Sequence, residues 1–308
     1  MGRNFKTKII FVLVFLCCLP TFSQSIKPLT YKEIKTGIAS YLVEIGFFKG
    51  IEEYHTDTNT IRFSGFFNEI ADKNAIPDGV YCSSTRASHG IYLFVIVDGN
   101  EYKILNLYDK QDLFSSLTEI LNFSIKKDYC KELVIEYIER ALNWHSLMQS
   151  YRRSNCYFSF DNKQTLSNVS LGELKNKLVN YLKSENIIGD ESFHILLLDK
   201  IDEFNVTINL NPLNEDDASK KLDKGYYRFT ATDNMEYAIS YYLLLKDTNF
   251  ELVTTRGNNN LNQELLLLLN FGIEQKFCFE KVKYILLNYL EEGLPLESCL
   301  SDLKKRLP

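Results

Sequence analysis

The chain lacks the local signatures of the familiar enzyme families. It has no GxSxG elbow, no P-loop, no GxGxxG and no HExxH, which sets aside the usual serine hydrolases, nucleotide-binding enzymes and zincins. Its four histidines, His55, His89, His145 and His194, are scattered, with no close His or Cys pair of the zinc-ligand type. "NEDDAS" from Asn214 offers carboxylates without the Asp-x-Asp-x-Asp-Gly order that wraps calcium, and reads as a solvated loop. No metal and no cofactor is expected. Positive charge is also short: 35 Lys and Arg stand against 40 Asp and Glu, a net charge of −5. With no dense basic stripe, nucleic acid is a poor candidate partner. The seven cysteines show no CxxC or other framework spacing.

What is present begins with "MGRNFKTKIIFVLVFLCCLPTFSQ". A basic stub (Arg3, Lys6, Lys8), an apolar run from Ile9 to Leu19, then Pro20 and the small residues Thr21 and Ser23 make residues 1–23 a cleavable signal peptide. The run is shorter than the roughly 20 residues a spanning helix needs. Lipoprotein anchoring would use Cys17 or Cys18, but Leu16 and Cys17 precede them where lipoprotein processing takes a small residue. Cleavage leaves Cys82, Cys130, Cys156, Cys278 and Cys299, an odd number, so a monomer keeps at least one thiol even where disulfides are permitted. It also leaves 32 basic against 40 acidic residues, or −8. The mature chain has no further run of spanning length. The expectation is a soluble exported protein, periplasmic or secreted.

The 308 residues, 45% hydrophobic and 13% aromatic, suffice for two cores, and the chain repeats itself. "ILNFSIKKDYC" from Ile120 returns as "LLNFGIEQKFC" from Leu268. Forward of the echo, Leu133/Val134, Tyr137/Ile138 and Ala141/Leu142 match Val282, Ile285/Leu286 and Tyr289/Leu290; behind it, Leu113, Leu117 and Leu121 match Leu261, Leu265 and Leu269. Both sets have helical spacing. Before them, "YLFVIVDGNEYKILNL" and "YAISYYLLLKDTNFELV" read as strand pairs across turns, entered from "GVYCSST" and "GYYRFTA". "TIRFSGFF" and "EFNVTINL" read as the first strand of each set. Thr30 with Glu33 and Ser170 with Glu173 have capping-box spacing ahead of two matching helices.

The predicted fold is therefore α+β, a tandem duplication of a module ordered helix, four-stranded antiparallel meander, two helices, with the helices on one face of each sheet. The boundaries are 24–150 for the first module, 151–168 for a polar linker with room for one extra strand, and 169–308 for the second. The spacing is far longer than that of a solenoid repeat.

Candidate chemistry is sparse. Cys82, Arg86 and His89 in "YCSSTRASHG" place a thiol, a cation and a base around one turn. They are the weak catalytic candidates; the second module has Arg228 in place of Cys82. Asn122 and Asn270 recur in the echo, either as ligand-binding amides or, as the residue type favours, as residues that end or break a helix. Trp144, the only Trp, is a candidate interface anchor or a cover for the domain junction. Cys130 and Cys278 lie on the apolar stripe and read as small hydrophobes. "NFS" at Asn122 and "NVT" at Asn205 match the glycosylation acceptor pattern. The functional expectation is an exported non-catalytic binding protein with a protein partner, of envelope-adaptor, inhibitor or immunity type. The alternative is an exported enzyme, a hydrolase, with its site in the first module or between modules; a carrier using an apolar interior is a third reading.

Overall fold

The computed structural model describes residues 28–46, 61–65, 75–85, 92–107, 110–151, 166–185, 195–201, 207–232, 238–254, 261–294 and 296–298. The expected signal peptide and Cys17 and Cys18 lie outside them. By contact the chain divides into two compact units, Met1–Gly90 with Val95–Ile104, and Ile91–Phe94 with Leu105–Pro308. The two helices that close the first expected module thus group with the whole of the second.

In the first unit, α1 (Tyr31–Glu44) starts where Thr30 Oγ1 accepts the Glu33 N–H at 3.2 Å and the Glu33 carboxylate accepts the Thr30 N–H at 2.8 Å. This is the expected capping box, and it satisfies donors that the first turn cannot. Ile34, Ile38, Ala39 and Leu42 form its buried stripe. A four-stranded sheet runs in the order β1 (Ile61–Gly65), β2 (Gly79–Thr85), β3 (Tyr92–Asp98), β4 (Glu101–Leu105). The turn between β3 and β4 falls on Gly99, at φ +66°, and Asn100, one residue later than an Asp-Gly turn would place it, because Asp98 is still the last residue of β3. α1 approaches β4 so closely that a Cβ on Gly37 would stand 1.7 Å from the Tyr102 hydroxyl.

The second unit opens with α2 (Lys110–Lys126) and α3 (Lys131–Tyr151), then β5 (Leu166–Ser170) and α4 (Leu171–Ser184). β6 (Ile195–Lys200), β7 (Thr207–Asn209), the short α5 (Glu215–Ala218), β8 (Lys221–Asp223), β9 (Gly225–Thr232), β10 (Ala238–Leu245) and β11 (Phe250–Thr254) follow, and α6 (Leu261–Glu274) and α7 (Phe279–Gly293) close it. The strands form a five-stranded sheet, β11-β10-β9-β6-β7, and a β5-β8 ribbon.

Two expectations change here. The strand predicted within "EFNVTINL" is only the three-residue edge β7, and the strand that pairs with β9 is β6, whose "ILLLDK" has no strand-like alternation. In addition, the helices of this unit cover both faces of the sheet. Leu174, Leu178 and Leu182 of α4 pack with Leu198, Phe229 and Leu243. On the opposite face, the Tyr226 hydroxyl donates to the Leu268 carbonyl of α6 at 2.7 Å and Tyr242 meets Tyr289 of α7 edge-on at 5.5 Å. The reason is in the strands: Tyr226 and Tyr227 are both buried, as is all of Tyr241–Leu245. A strand apolar on both faces must be covered on both.

Local geometry recurs at the offsets seen in sequence. α1 and α4 each have 14 residues, Ser170 caps α4 by accepting the Glu173 N–H at 3.3 Å, and Glu173 itself pairs with Lys177 at 2.7 Å. The Tyr81 hydroxyl donates to the Pro77 carbonyl at 2.6 Å, and 146 residues on the Tyr227 hydroxyl donates to the Asp223 carbonyl at 2.7 Å. The echo itself is a helix junction. Tyr129 N–H donates to Ser124 and Asp128 N–H to Ile125; Phe277 N–H donates to Gly272 and Lys276 N–H to Ile273. Each junction is a Schellman turn with a left-handed residue at C′. Rings close both: Phe123 on Tyr129 and Phe271 on Phe277, each T-shaped at 5.7 Å.

Candidate functional site

The most developed polar constellation among the described residues lies where β9 and β10 face α7. Alternation along β9 turns Tyr226 and Arg228 to this side, and β10 sets Tyr242 directly across from Arg228. α7 buries Val282, Ile285, Leu286, Tyr289 and Leu290 at helical spacing, and Glu292, three residues past Tyr289, comes round to the same face. The Arg228 guanidinium pairs with the Glu292 carboxylate, donates to the Tyr242 hydroxyl at 3.5 Å and lies 5.7 Å from that ring's centre. Its Nε is buried without a hydrogen-bond partner. Asp199 of β6 stands opposite Arg228 on its other side.

Burial first, then the negative charge of Glu292, pushes the Tyr242 phenol well above its ordinary range. Below it, the buried Tyr289 donates its hydroxyl to Glu264, a carboxylate only 6% exposed. Chemically, Tyr242 is a fixed O–H donor, and Arg228 is engaged by Glu292. The arrangement ties sheet to helix, with the Arg228 and Glu292 side chains each 34% exposed at the rim.

The residues singled out from sequence fall elsewhere. Cys82 is a half-buried thiol in β2, opposite Ser64 of β1, at the place Arg228 takes in β9; Arg86 and His89 lie outside the described residues. Asn122 and Asn270 do not end or break helices. α2 runs on to Lys126 and α6 to Glu274, because the Schellman turns four residues later are what stop them. Asn122 accepts a hydrogen bond from the Asn262 amide at 3.2 Å, whereas the Asn270 carbonyl oxygen is buried without a partner. Trp144 stacks on Tyr92 at 3.7 Å.

The two echoed cysteines also differ from the expected pair of hydrophobes. Cys130 is disulfide-bonded, and Cys278 is a half-exposed thiol that precedes α7 without a side-chain cap bond. Both immediately precede a helix and are only partly buried. His145 is buried and its Nδ1 lies 2.6 Å from the Leu107 carbonyl oxygen. Among the described residues no group of three or more His, Cys, Asp or Glu is placed to hold a metal ion, and no helix is long and apolar enough to cross a membrane. No family model matches the chain, and no curated protein or solved structure does.

The Arg228 cluster was missed in sequence. Its signal was an Arg inside the apolar run "GYYRFTA", where a cation partly withdrawn from water needs an anion; nothing local named Glu292 as that anion.

Proposed function

We propose that the chain is an exported, non-catalytic binding protein built from two related modules, with a protein as its partner. The observation that carries this reading is what recurs and what does not. The matched positions share caps, Schellman turns, ring pairs and tyrosine-to-carbonyl bonds, all of which fix backbone and core. The polar interactions at matched positions differ: Cys82 stands where Arg228 does, and Asn122 and Asn270, though the same residue, do not share a partner, since Asn122 accepts from Asn262 and the Asn270 side-chain oxygen accepts from nothing among the described residues. A scaffold kept twice while its polar groups diverge suits a surface for an asymmetric partner more than a reaction centre.

Two grooves of the described residues fit a macromolecular ligand. One runs along α1 beside Tyr102 and Ile104; the other lies between Ile135, Glu136 and Glu139 of α3 and Glu291 of α7. Both are open and mixed in polarity, unlike the enclosed apolar clefts that hold small molecules. The leader sends the protein out of the cytoplasm, to the periplasm or beyond.

The test is affinity capture of the tagged mature chain from its own host, with mass spectrometry, beside a Cys82→Ala/His89→Ala variant. A stoichiometric protein held equally by both forms is the expected result. No partner, together with a phenotype lost only in the variant, would replace this reading with the enzyme.

A further inference from the structure

We propose that Cys130 is joined to Cys299, and that this disulfide staples the segment after α7 to the start of α3. Cys130 is disulfide-bonded, and Cys82 and Cys278 are thiols. Of the seven cysteines, the partner is then Cys17, Cys18, Cys156 or Cys299. On the proposed export, on which this step rests, Cys17 and Cys18 leave with the signal peptide.

Helix geometry excludes Cys156. Cys130 immediately precedes α3, whose 21 residues rise about 1.5 Å each and so span about 30 Å. Cys156 follows Tyr151, the last residue of that helix, by five residues, which reach at most about 18 Å. The gap left over, about 12 Å, exceeds the roughly 7 Å between Cα atoms that a disulfide tolerates.

Cys299 has the opposite geometry. Its neighbours already lie against those of Cys130: the Lys131 N–H donates to the Glu297 carbonyl at 2.9 Å, and the Ser298 hydroxyl donates to the Glu132 carboxylate. The next residue after Ser298 is within about 3.8 Å, Cα to Cα. Lys131 also donates from Nζ to the Glu291 carbonyl at 2.7 Å, so the start of α3 is tied to the end of α7 as well.

Forming the bond takes two thiols to one disulfide with loss of two protons and two electrons. A disulfide-carrying oxidant of the exported compartment accepts both by thiol–disulfide exchange and leaves as a dithiol. Cys278, the counterpart of Cys130, is a thiol.

The experiment is peptide mapping of the chain recovered from its own host, with thiols blocked by iodoacetamide before digestion and no reductant. One linked peptide pair carrying Cys130 and Cys299 is expected, with Cys82, Cys156 and Cys278 alkylated. Linkage of Cys130 to Cys156, Cys17, Cys18 or a second copy of the chain, or an alkylated Cys130, overturns the proposal. As a second arm, Cys299→Ser should free Cys130 to alkylation and lower the thermal midpoint to that of the reduced wild type, while Cys156→Ser should leave it unchanged. The mapping reads no binding, so the absence of a protein partner does not touch it.

Discussion

Asp128 and Lys276, 148 residues apart, hold the same left-handed backbone conformation, at φ 51° and 55°. Each is the C′ residue of a Schellman turn, a position that favours glycine because a Cβ there crowds the following carbonyl. The chain spends that strain twice to stop α2 and α6 at equivalent places. Asp128→Gly and Lys276→Gly should each stabilise the protein by up to about 1 kcal/mol, less the extra entropy that glycine gives the unfolded chain. Urea unfolding checks it; a loss of stability at both positions would show that the turns are held by something other than backbone conformation.

Gly272 and Ser124, matched in the same echo, should respond in opposite directions. A Cβ on Gly272 would stand 2.4 Å from Val282 Cγ2 and 2.6 Å from the Tyr226 hydroxyl, and both neighbours are fully buried. Gly272→Ala should therefore cost about 2 kcal/mol through overpacking, although alanine favours the helix. Ser124 is buried with its hydroxyl unpartnered. Ser124→Ala removes an unmet donor and should be neutral or stabilising by about 1 kcal/mol. Thermal melts of the two variants decide this, and equal effects would contradict it.

The helices were legible because Leu113/Leu117/Leu121 and Val282/Ile285/Leu286/Tyr289 repeat at the spacing of one helical face, and because Thr30 and Glu33 announce a cap by local chemistry. β6 was not legible, because "ILLLDK" is a short continuous apolar run with no alternation, and the alternating "NVTIN" nearby looked more like a strand. Placing all helices on one face failed for the second sheet although the contrary signal was present: "YYRF" and "YYLLL" have no polar face to leave in water. Arg228 with Glu292, and Cys130 with its disulfide partner, depend on pairs far apart in the chain, which no local pattern reports.

Tyr242 should remain un-ionised as long as the sheet is folded. Its phenol is held above the ordinary value of 10.0 by burial and then by Glu292, so the folded state favours the proton. The associated stability is complete below pH 10 and falls as pH rises toward the folded value. In an absorbance titration, wild type and Tyr242→Phe should give the same phenolate signal until the chain unfolds, and differ by one phenolate only afterwards. A one-phenolate difference near pH 10 in folded protein would mean that Tyr242 is solvated.

Lys200 and Asp223 test whether a buried pair stabilises or merely avoids a penalty. The Lys200 side chain is 4% exposed and Asp223 29%, with Nζ 3.1 Å from Oδ2. Removing the carboxylate takes one partner from a desolvated ammonium, and because Asp223 is partly solvated the loss should be about 2 kcal/mol, below the roughly 3–5 expected of a fully buried pair. Removing the cation instead leaves a carboxylate that water still reaches. Lys200→Met, which also keeps the apolar stem packed, should be neutral or stabilising by about 1 kcal/mol. Asp223→Ala made in the Lys200→Met background should then lose most of its cost. Urea unfolding of the four proteins measures the coupling, and equal penalties for the two single variants would mean that the contact itself, not the desolvation of the ammonium, holds β6 to β8.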